Sequence, residues 1–159
     1  MKLWVLAIGK PGRLLQPVIA EYEKRAARYW NFEVIEVKEE RASKQAGEEQ
    51  VREREGERLL ARVPPGAQVI ALTRPGGDAY SSARLARHLS ELALRGTPGV
   101  AFIIGGAYGL GREVVMRADA RMRLSAFTLT HELARLVLAE QIYRAGTILR
   151  GEPYHKGTD

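Results

Sequence analysis

Hydrophobic residues occur along the chain in short continuous runs, and the segments between these runs have helical periodicity. The runs predict buried strands at residues 3–8, 32–37, 67–72 and 100–104, and a shorter strand at 122–124. In the intervening segments apolar residues recur every three or four positions, which is typical of helices with one buried face. These segments predict helices over about 15–29 and 44–62, after Ser81 or Ser82, after the glycine-rich turn and over about 131–149.

Five repetitions of strand and helix predict an α/β protein with a three-layer fold and a mainly parallel sheet. The run at 100–104 is apolar at every position, so helices should cover both faces of this strand. No linker or low-complexity segment interrupts the pattern, which indicates a single domain over residues 1–159. Ligands of such sheets bind at loops that leave the carboxyl ends of strands. The candidate loops are residues 73–77, 105–111 and 125–130.

The amino-acid composition excludes several classes of protein and of functional site. The 159 residues include no cysteine, and 25 Lys and Arg against 19 Asp and Glu give a net charge of +6. Because the chain has no cysteine, it cannot form a zinc ribbon, an iron–sulfur cluster, a thiol nucleophile or a disulfide scaffold. The apolar runs are far shorter than the ~20 residues that span a membrane, and Met1 leads directly into a strand instead of a signal peptide. We therefore expect a cytoplasmic protein without membrane attachment and with a polyanionic partner.

The loop IIGGAYGLGRE is rich in glycine but does not match the known phosphate-binding patterns. Gly106 and Gly111 have the spacing of a P-loop, yet Arg112 and Glu113 occupy the places of its Lys and Ser/Thr. The dinucleotide pattern G-x-G-x-x-G is also absent. Two interpretations remain open, namely a tight turn, or a backbone that a small flat or charged ligand approaches closely.

A metal site is not predicted. His131 and Glu132 begin the zinc-protease pattern H-E-x-x-H, but Arg135 stands where the second histidine is required. The other histidines, His88 and His155, lie far away in the sequence. Residues and spacing alone therefore indicate an α/β protein that binds a small ligand and, with its basic charge, a nucleic acid.

Four segments of the chain carry a family resemblance: MKLWVLAIGK, IIGGAYGL, LSAFTLTHELARLVLAEQIYRA and PYHK. Together, in this order, they resemble the SPOUT-class 23S rRNA methyltransferases that act at N3 of a pseudouridine, and the likeness covers essentially the whole chain. The resemblance implies a C-terminal trefoil knot, S-adenosyl-L-methionine as methyl donor, a homodimer, and 23S rRNA of the assembled ribosome as substrate. Such a knot is an exception to the usual rule against threaded loops, so the hydrophobic pattern does not predict it.

The resemblance also implies which residues form the site. The cofactor-binding residues would be Leu72, Gly106, Ser125, Ala126, Phe127, Thr128, Leu129 and Thr130. The tail residues Tyr154, His155 and Lys156 would act in catalysis, in the site of the partner subunit. Four positions depart from the pattern of some relatives, namely Thr73, Ala107, Tyr108 and Thr130. They lie beside main-chain ligand contacts, so they concern ligand orientation and affinity more than reaction type.

Two alternatives stay open at this point. The chain could be a knot-fold methyltransferase that acts on tRNA or on another base, or a ribosome-assembly factor that has lost catalysis. The predicted last helix has apolar residues on more than one side, from Ala134 to Leu149. Either a second subunit or an ordinary buried position in the fold explains this pattern.

Overall fold

Six parallel strands form one sheet in the structure, a computed structural model that describes residues 1–157. The strands are β1 (Lys2–Ile8), β2 (Asn31–Val37), β3 (Gln68–Leu72), β4 (Asp78–Ala79), β5 (Gly99–Ile104) and β6 (Ala120–Arg123). The helices are α1 (Gln16–Ala26), α2 (Glu48–Leu60), α3 (Ser82–Leu94), α4 (Arg112–Arg117) and α5 (His131–Leu149). The alternation of strand and helix predicted from the hydrophobic pattern is therefore confirmed.

The strand order is β2-β1-β5-β3-β6-β4, and every described pair is parallel. In the register of the central strands, Leu6 of β1 lies opposite Ile35 of β2 and Ile103 of β5. All six residues of β5 are buried, as predicted for a strand covered on both faces. The parallel sheet brings the carboxyl ends of β3, β5 and β6 to one edge of the molecule.

Helices cover both faces of the sheet and form two apolar clusters. On one face Val5 and Phe102 pack with α3 and α5, whose buried residues include Leu89 and Leu138. The cluster on the other face is formed by Leu6, Ile8, Ile35, Val37, Leu59, Ala67, Val69, Ala101, Ile103 and Val114. Alternate side chains of a strand point to opposite faces, so β1 contributes to both clusters. The three-layer prediction is confirmed.

The structure corrects two details at the last strands. Residues 78 and 79 form the short edge strand β4, which the sequence did not predict because both residues are exposed and neither belongs to an apolar run. The strand predicted at 122–124 begins earlier, at Ala120, and ends at Arg123. Only Met122 of this strand is buried, so its hydrophobic signal was weak.

The caps and burial of α3 and α5 explain where these helices lie. Ser81 caps α3 by accepting a hydrogen bond from the Arg84 amide at 3.1 Å, which decides between the two serines. In α5 Leu138, Ile142 and Ala145 are buried, whereas Leu149 is 45% exposed. In the part of the chain that the structure describes, no helix is long and apolar enough to cross a membrane.

Candidate active-site cleft

Three loops from separate strands meet at a cleft of about 570 Å³ beside the carboxyl ends of β3, β5 and β6. They are the loops after Leu72, after Ile104 and after Arg123, the same three that were selected from the carboxyl ends of the predicted strands. The start of α5 and one turn of α2 close the sides. The lining residues include Leu72, Thr73, Arg74, Gly106, Tyr108, Arg123, Ser125, Phe127, Thr128, Leu129, His131 and Ala134. This cleft is the candidate functional site.

Most of the residues predicted to bind a cofactor line this cleft. They are Leu72, Gly106, Ser125, Phe127, Thr128 and Leu129. The other two lie in the same loop but are not among the lining residues: Ala126 is exposed, and Thr130 caps α5 by accepting a hydrogen bond from the Leu133 amide at 3.3 Å. The threonine that departs from the family pattern thus starts the long helix.

The glycine-rich loop is a tight turn. The Gly109 amide donates to the Gly106 carbonyl at 3.1 Å, and Gly109 has a φ of +83°, which favours glycine. A Cβ placed on Gly105 would lie 2.5 Å from the Gly109 carbonyl carbon. The two interpretations of this loop are therefore compatible, since the turn is tight and its backbone also lines the cleft.

Gly106 has no room for a side chain. A Cβ on Gly106 would lie 2.7 Å from Glu55 Oε1 and 3.1 Å from Ile8 Cγ2. A larger side chain would therefore first collide with α2 and β1, before any contact with a ligand. A branched side chain at this position would therefore displace the glycine-rich loop.

Glu55 is a buried acid that the sequence analysis missed. Val51, Glu55 and Leu59 are spaced by four residues and form the buried stripe of α2, although this helix has a highly charged sequence. Glu55 Oε2 accepts a hydrogen bond from the Glu40 amide at 3.1 Å. Its Oε1 is buried and has no hydrogen-bond partner among the described residues. Burial raises the pKa of Glu55, and the nearby charge of Glu39 acts in the same direction.

Arginines also line the cleft, and sequence reasoning did not single them out. Arg74 lies in the loop after β3 and Arg123 ends β6. Arg52 extends from α2, and its Nη1 lies 3.5 Å from the Tyr108 carbonyl oxygen. Their positions at the carboxyl edge of the sheet became evident only from the strand order. The cleft therefore combines an apolar and backbone-rich interior with a cationic border.

The first turn of α5 is held close to the cleft by polar contacts. His131 lines the cleft, and the Glu132 carboxylate accepts a hydrogen bond from the Gly12 amide at 2.6 Å. One turn further, the buried Arg135 donates to Glu23 at 2.7 Å and to Glu36 at 3.0 Å. The arginine that excludes a zinc-protease motif thus joins α5 to α1 and β2.

The predicted catalytic tail lies elsewhere in the single chain. The Tyr154 hydroxyl donates to Glu140 at 2.9 Å, and its ring centroid lies 4.6 Å from that of Tyr143. His155 Nδ1 lies 3.3 Å from an Arg144 nitrogen, and Lys156 is exposed. Glu140 lies six positions after Ala134 of the cleft, about 9 Å along the helix axis.

The tail therefore packs on its own α5 and does not line the cleft of the same chain. Burial, together with the hydrogen bond to Glu140, raises the pKa of Tyr154. This hydroxyl consequently keeps its proton at neutral pH and acts as a hydrogen-bond donor. Among the described residues, no group of three or more metal-ligating side chains is present.

Comparison with known proteins places the whole chain in one family. The family model described as "Predicted SPOUT methyltransferase" matches residues 1–155. Proteins named "Ribosomal RNA large subunit methyltransferase H" are similar over 98% of this chain, with 52% identity for Gemmatimonas aurantiaca, 49% for Anaeromyxobacter sp. strain Fw109-5 and 46% for Syntrophotalea carbinolica. The matches cover 100%, 100% and 99% of those proteins.

Solved structures agree at the level of the fold. A probable methylase family protein from Haemophilus influenzae matches 98% of this chain and 70% of its own with a TM-score of 0.55 and 12% identity. A crystal structure of a hypothetical protein matches 94% of this chain and 81% of its own, again with a TM-score of 0.55, at 17% identity. Since the sequence match extends over nearly the entire chain, this protein belongs to the SPOUT methyltransferase family.

Proposed function

We propose that this methyltransferase transfers a methyl group from S-adenosyl-L-methionine to N3 of a pseudouridine in 23S rRNA of the assembled ribosome. The observation that carries the proposal is the convergence of three loops on one cleft at the carboxyl edge of the parallel sheet. The names of the relatives support large-subunit rRNA as the substrate. The sequence resemblance supports the pseudouridine and its N3 position.

The cleft fits a cofactor of this size and chemistry. Its volume of about 570 Å³ lies within the ~300–1,000 Å³ that is usual for small-molecule sites. Leu72 and Leu129 offer apolar surface for a flat base, and the tight turn at Gly106 exposes backbone groups without bulky side chains. When bound, the cofactor would supply a methyl group that is already activated by the sulfonium charge.

The protein's own contribution would be orientation and handling of one proton. N3 of a pseudouridine is an imide nitrogen, and its proton must leave as the N–C bond forms. A nearby cation favours the deprotonated form, and a positioned base accepts the proton. His155 and Lys156 carry suitable groups, while Tyr154, whose hydroxyl stays protonated, can stack on a base or donate a hydrogen bond.

The tail would act in the cleft of a second subunit. In a single chain Tyr154 is held at Glu140, away from the cleft. The start and end of α5 also expose apolar side chains, with Leu133 38% and Leu149 45% exposed. A homodimer that covers this helix would bring two chains together near both sites, as the family resemblance implies. The trefoil knot remains a prediction of the same resemblance.

An assembled ribosomal particle is the better substrate on physical grounds. A chain of 159 residues with a net charge of +6 has little surface for reading a base sequence. Recognition of RNA shape and of neighbouring ribosomal surfaces must therefore provide much of the selectivity. We expect naked 23S rRNA to be methylated much more slowly than ribosomes that lack the modification.

Methyl transfer with labelled cofactor tests the proposal. The substrates are unmodified ribosomes, naked 23S rRNA and unmodified tRNA, and mass spectrometry of nuclease fragments locates the methyl group. We expect label at N3 of one pseudouridine in 23S rRNA, with ribosomes as the preferred substrate. Label in tRNA or on a different base contradicts the stated substrate. Ribosome binding without any methyl transfer by the dimer indicates an assembly factor instead.

A further inference from the structure

The edge of the sheet beside the cleft carries two arginines on one side of β6. The burial of this strand alternates, with Met122 buried in the cluster that contains α3 and α5 and with Arg121 and Arg123 exposed. Side chains two residues apart in a strand point to the same face. Both guanidinium groups therefore extend from the face that α2 and α4 cover further along the sheet.

That face is left without an apolar cover at the β6–β4 edge. The hydrophobic cluster under α2 and α4 includes residues of β1, β2, β3 and β5 but, in the described part of the chain, no residue of β4 or β6. Across the strands Arg121 lies opposite Ala71, and Arg123 lies opposite Ala79. Small neighbours leave the arginine side chains open to an approaching partner.

A third arginine, Arg74, extends this surface to the cleft. It lies in the loop that follows β3, and both Arg74 and Arg123 line the cleft. Arg121 is next to the same loop, since a Cβ on Gly76 would lie 3.5 Å from Arg121 Nη1. We call Arg74, Arg121 and Arg123 the arginine edge.

The acids near the arginine edge are already paired with other arginines. Asp78 binds Arg84 at 3.2 Å, and Asp119 binds Arg117 at 3.3 Å. Among the described residues, the three arginines of the edge form no ion pair with an acid. Like charges placed this close repel one another unless an anion lies between them. The local excess of positive charge therefore fits a partner with several anionic groups.

We propose that the arginine edge binds consecutive phosphates of the RNA strand that carries the target nucleotide into the cleft. The proposal rests on the proposed function and specifies the path of its substrate. Guanidinium groups form bidentate hydrogen bonds with phosphates, and such contacts position RNA without reading its sequence. The edge borders the cleft on one side, so a strand bound there presents the neighbouring base to the cofactor site.

Arg121→Ala is the most discriminating variant, because Arg121 belongs to the edge but does not line the cleft. Arg95→Ala is its matched control. Arg95 is also an exposed arginine, but it follows α3 at the opposite end of the sheet, just before β5. Arg121→Lys keeps the charge, and the triple alanine variant of Arg74, Arg121 and Arg123 removes the whole edge.

The experiment measures binding of these variants to unmodified large ribosomal subunits and to an unstructured single-stranded RNA over a range of KCl concentrations. Calorimetry with S-adenosyl-L-methionine is carried out in parallel. For single strands log K falls as log salt rises, and each lost phosphate contact makes this slope less steep by about 0.7. We expect the magnitude of the slope to decrease by about 0.7 for Arg121→Ala and by about 2 for the triple variant, whose affinity falls at least about tenfold at low salt. Arg121→Lys and Arg95→Ala should keep the parental slope.

The outcomes separate this proposal from the proposed function. The arginine edge is contradicted if Arg121→Ala has the same slope as the parental protein. It is also contradicted if Arg121→Ala and Arg95→Ala reduce the slope equally. Loss of cofactor affinity in the triple variant with unchanged RNA binding also overturns it, since the edge would then serve the cofactor. If the slopes change as expected but the parental protein methylates no RNA, the arginine edge is supported and the proposed function is rejected.

Discussion

The cleft and the tail are two regions of this protein that are built in opposite ways. The cleft is assembled from three loops of one chain, with backbone groups and apolar side chains in its interior. The tail brings Tyr154 and His155 onto Glu140 and Arg144 of its own α5. One region has a volume for a ligand and few groups that exchange protons. The other has such groups, and its Tyr154 and His155 pack against polar side chains of α5.

This difference indicates a division of labour within the proposed reaction. A sulfonium-activated methyl group requires orientation more than acid–base chemistry, and the cleft supplies orientation. The imide proton of the substrate requires a base or a cation, and the tail carries those groups. Because the two regions lie at different positions along α5 of one chain, the proposed reaction would combine the cleft of one chain with the tail of a second chain.

The largest effect should follow deletion of the tail from Tyr154 onward. General acid–base groups contribute about 100- to 10,000-fold to a rate, so we expect methylation to fall at least about 100-fold. Few apolar contacts are removed, so the fold and the cofactor affinity should change little. Labelled methyl transfer, calorimetry and thermal unfolding measure the three properties. A truncated protein with full activity would refute a catalytic tail.

Breaking the ion pairs that join α5 to α1 and β2 should give the next largest effect. Arg135→Met leaves Glu23 and Glu36 without their partner. Loss of one partner of a fully buried ion pair lowers the free energy of unfolding by about 3–5 kcal/mol. Because both glutamates are partly exposed, we expect a smaller decrease of about 2–3 kcal/mol. Arg25→Ala breaks the exposed pair with Glu21 and should change stability by less than about 1 kcal/mol. Chemical denaturation compares them, and equal effects contradict the structural role of Arg135.

Gly106→Val should weaken cofactor binding through movement of the glycine-rich loop. The new side chain collides with Glu55 and Ile8, and overpacking of this kind has a free-energy cost of about 1–3 kcal/mol. If this free-energy cost applies to the cofactor-bound state, the affinity for the cofactor falls about 5- to 150-fold. Gly47→Ala is the control, since a Cβ there meets nothing within 4 Å. Unchanged cofactor affinity in folded Gly106→Val protein, measured by calorimetry, contradicts a cofactor site at this loop.

The smallest effect concerns the buried acid under the loop. Because burial raises the pKa of Glu55, the folded chain holds this proton more tightly than the unfolded chain. The contribution of Glu55 to stability therefore falls as pH rises above the ordinary value of 4.5 and through the raised pKa. Glu55→Gln stays neutral, so it should have a higher melting temperature than the parental protein at neutral pH and a shallower decline with pH.

Thermal unfolding across this pH range tests the effect, with the exposed Glu53→Gln on the same helix as the control. The difference between Glu55→Gln and the parental protein should vanish at acidic pH, where Glu55 is protonated in both states. If Glu55→Gln is less stable than the parental protein at neutral pH, the prediction is contradicted, and the charged Glu55 carboxylate has a stabilising partner.

Much of the fold was predictable because strand burial leaves a direct signal in the sequence. The run at 100–104 is apolar throughout and forms the central strand β5. The edge strand β4 and the start of β6 could not be predicted, since neither the exposed Asp78 of β4 nor the exposed Arg121 of β6 belongs to an apolar run. Parallel order then places the three candidate loops together, which explains why the cleft was found at the expected loops.

The side chains of the site were harder to predict than its loops. Glu55 occupies an apolar stripe with Val51 and Leu59, a spacing of four that could have signalled its burial. It was hidden because most residues of this helix are charged and exposed. The partners of Arg135 come from α1 and β2, which are distant in sequence. Pairing of this kind depends on tertiary packing and has no local sequence signal.

Complementation between two defective subunits tests the central claim most directly, that each site combines a cleft from one chain with a tail from another. Subunits that lack the tail are mixed with Gly106→Val subunits, or with Leu129→Arg subunits if the valine variant does not fold. Subunit exchange is verified before methyl transfer to unmodified ribosomes is measured. The account predicts recovered activity, because a heterodimer contains one intact cleft beside one intact tail. No recovery in confirmed heterodimers would contradict it and assign the tail to the cleft of its own chain.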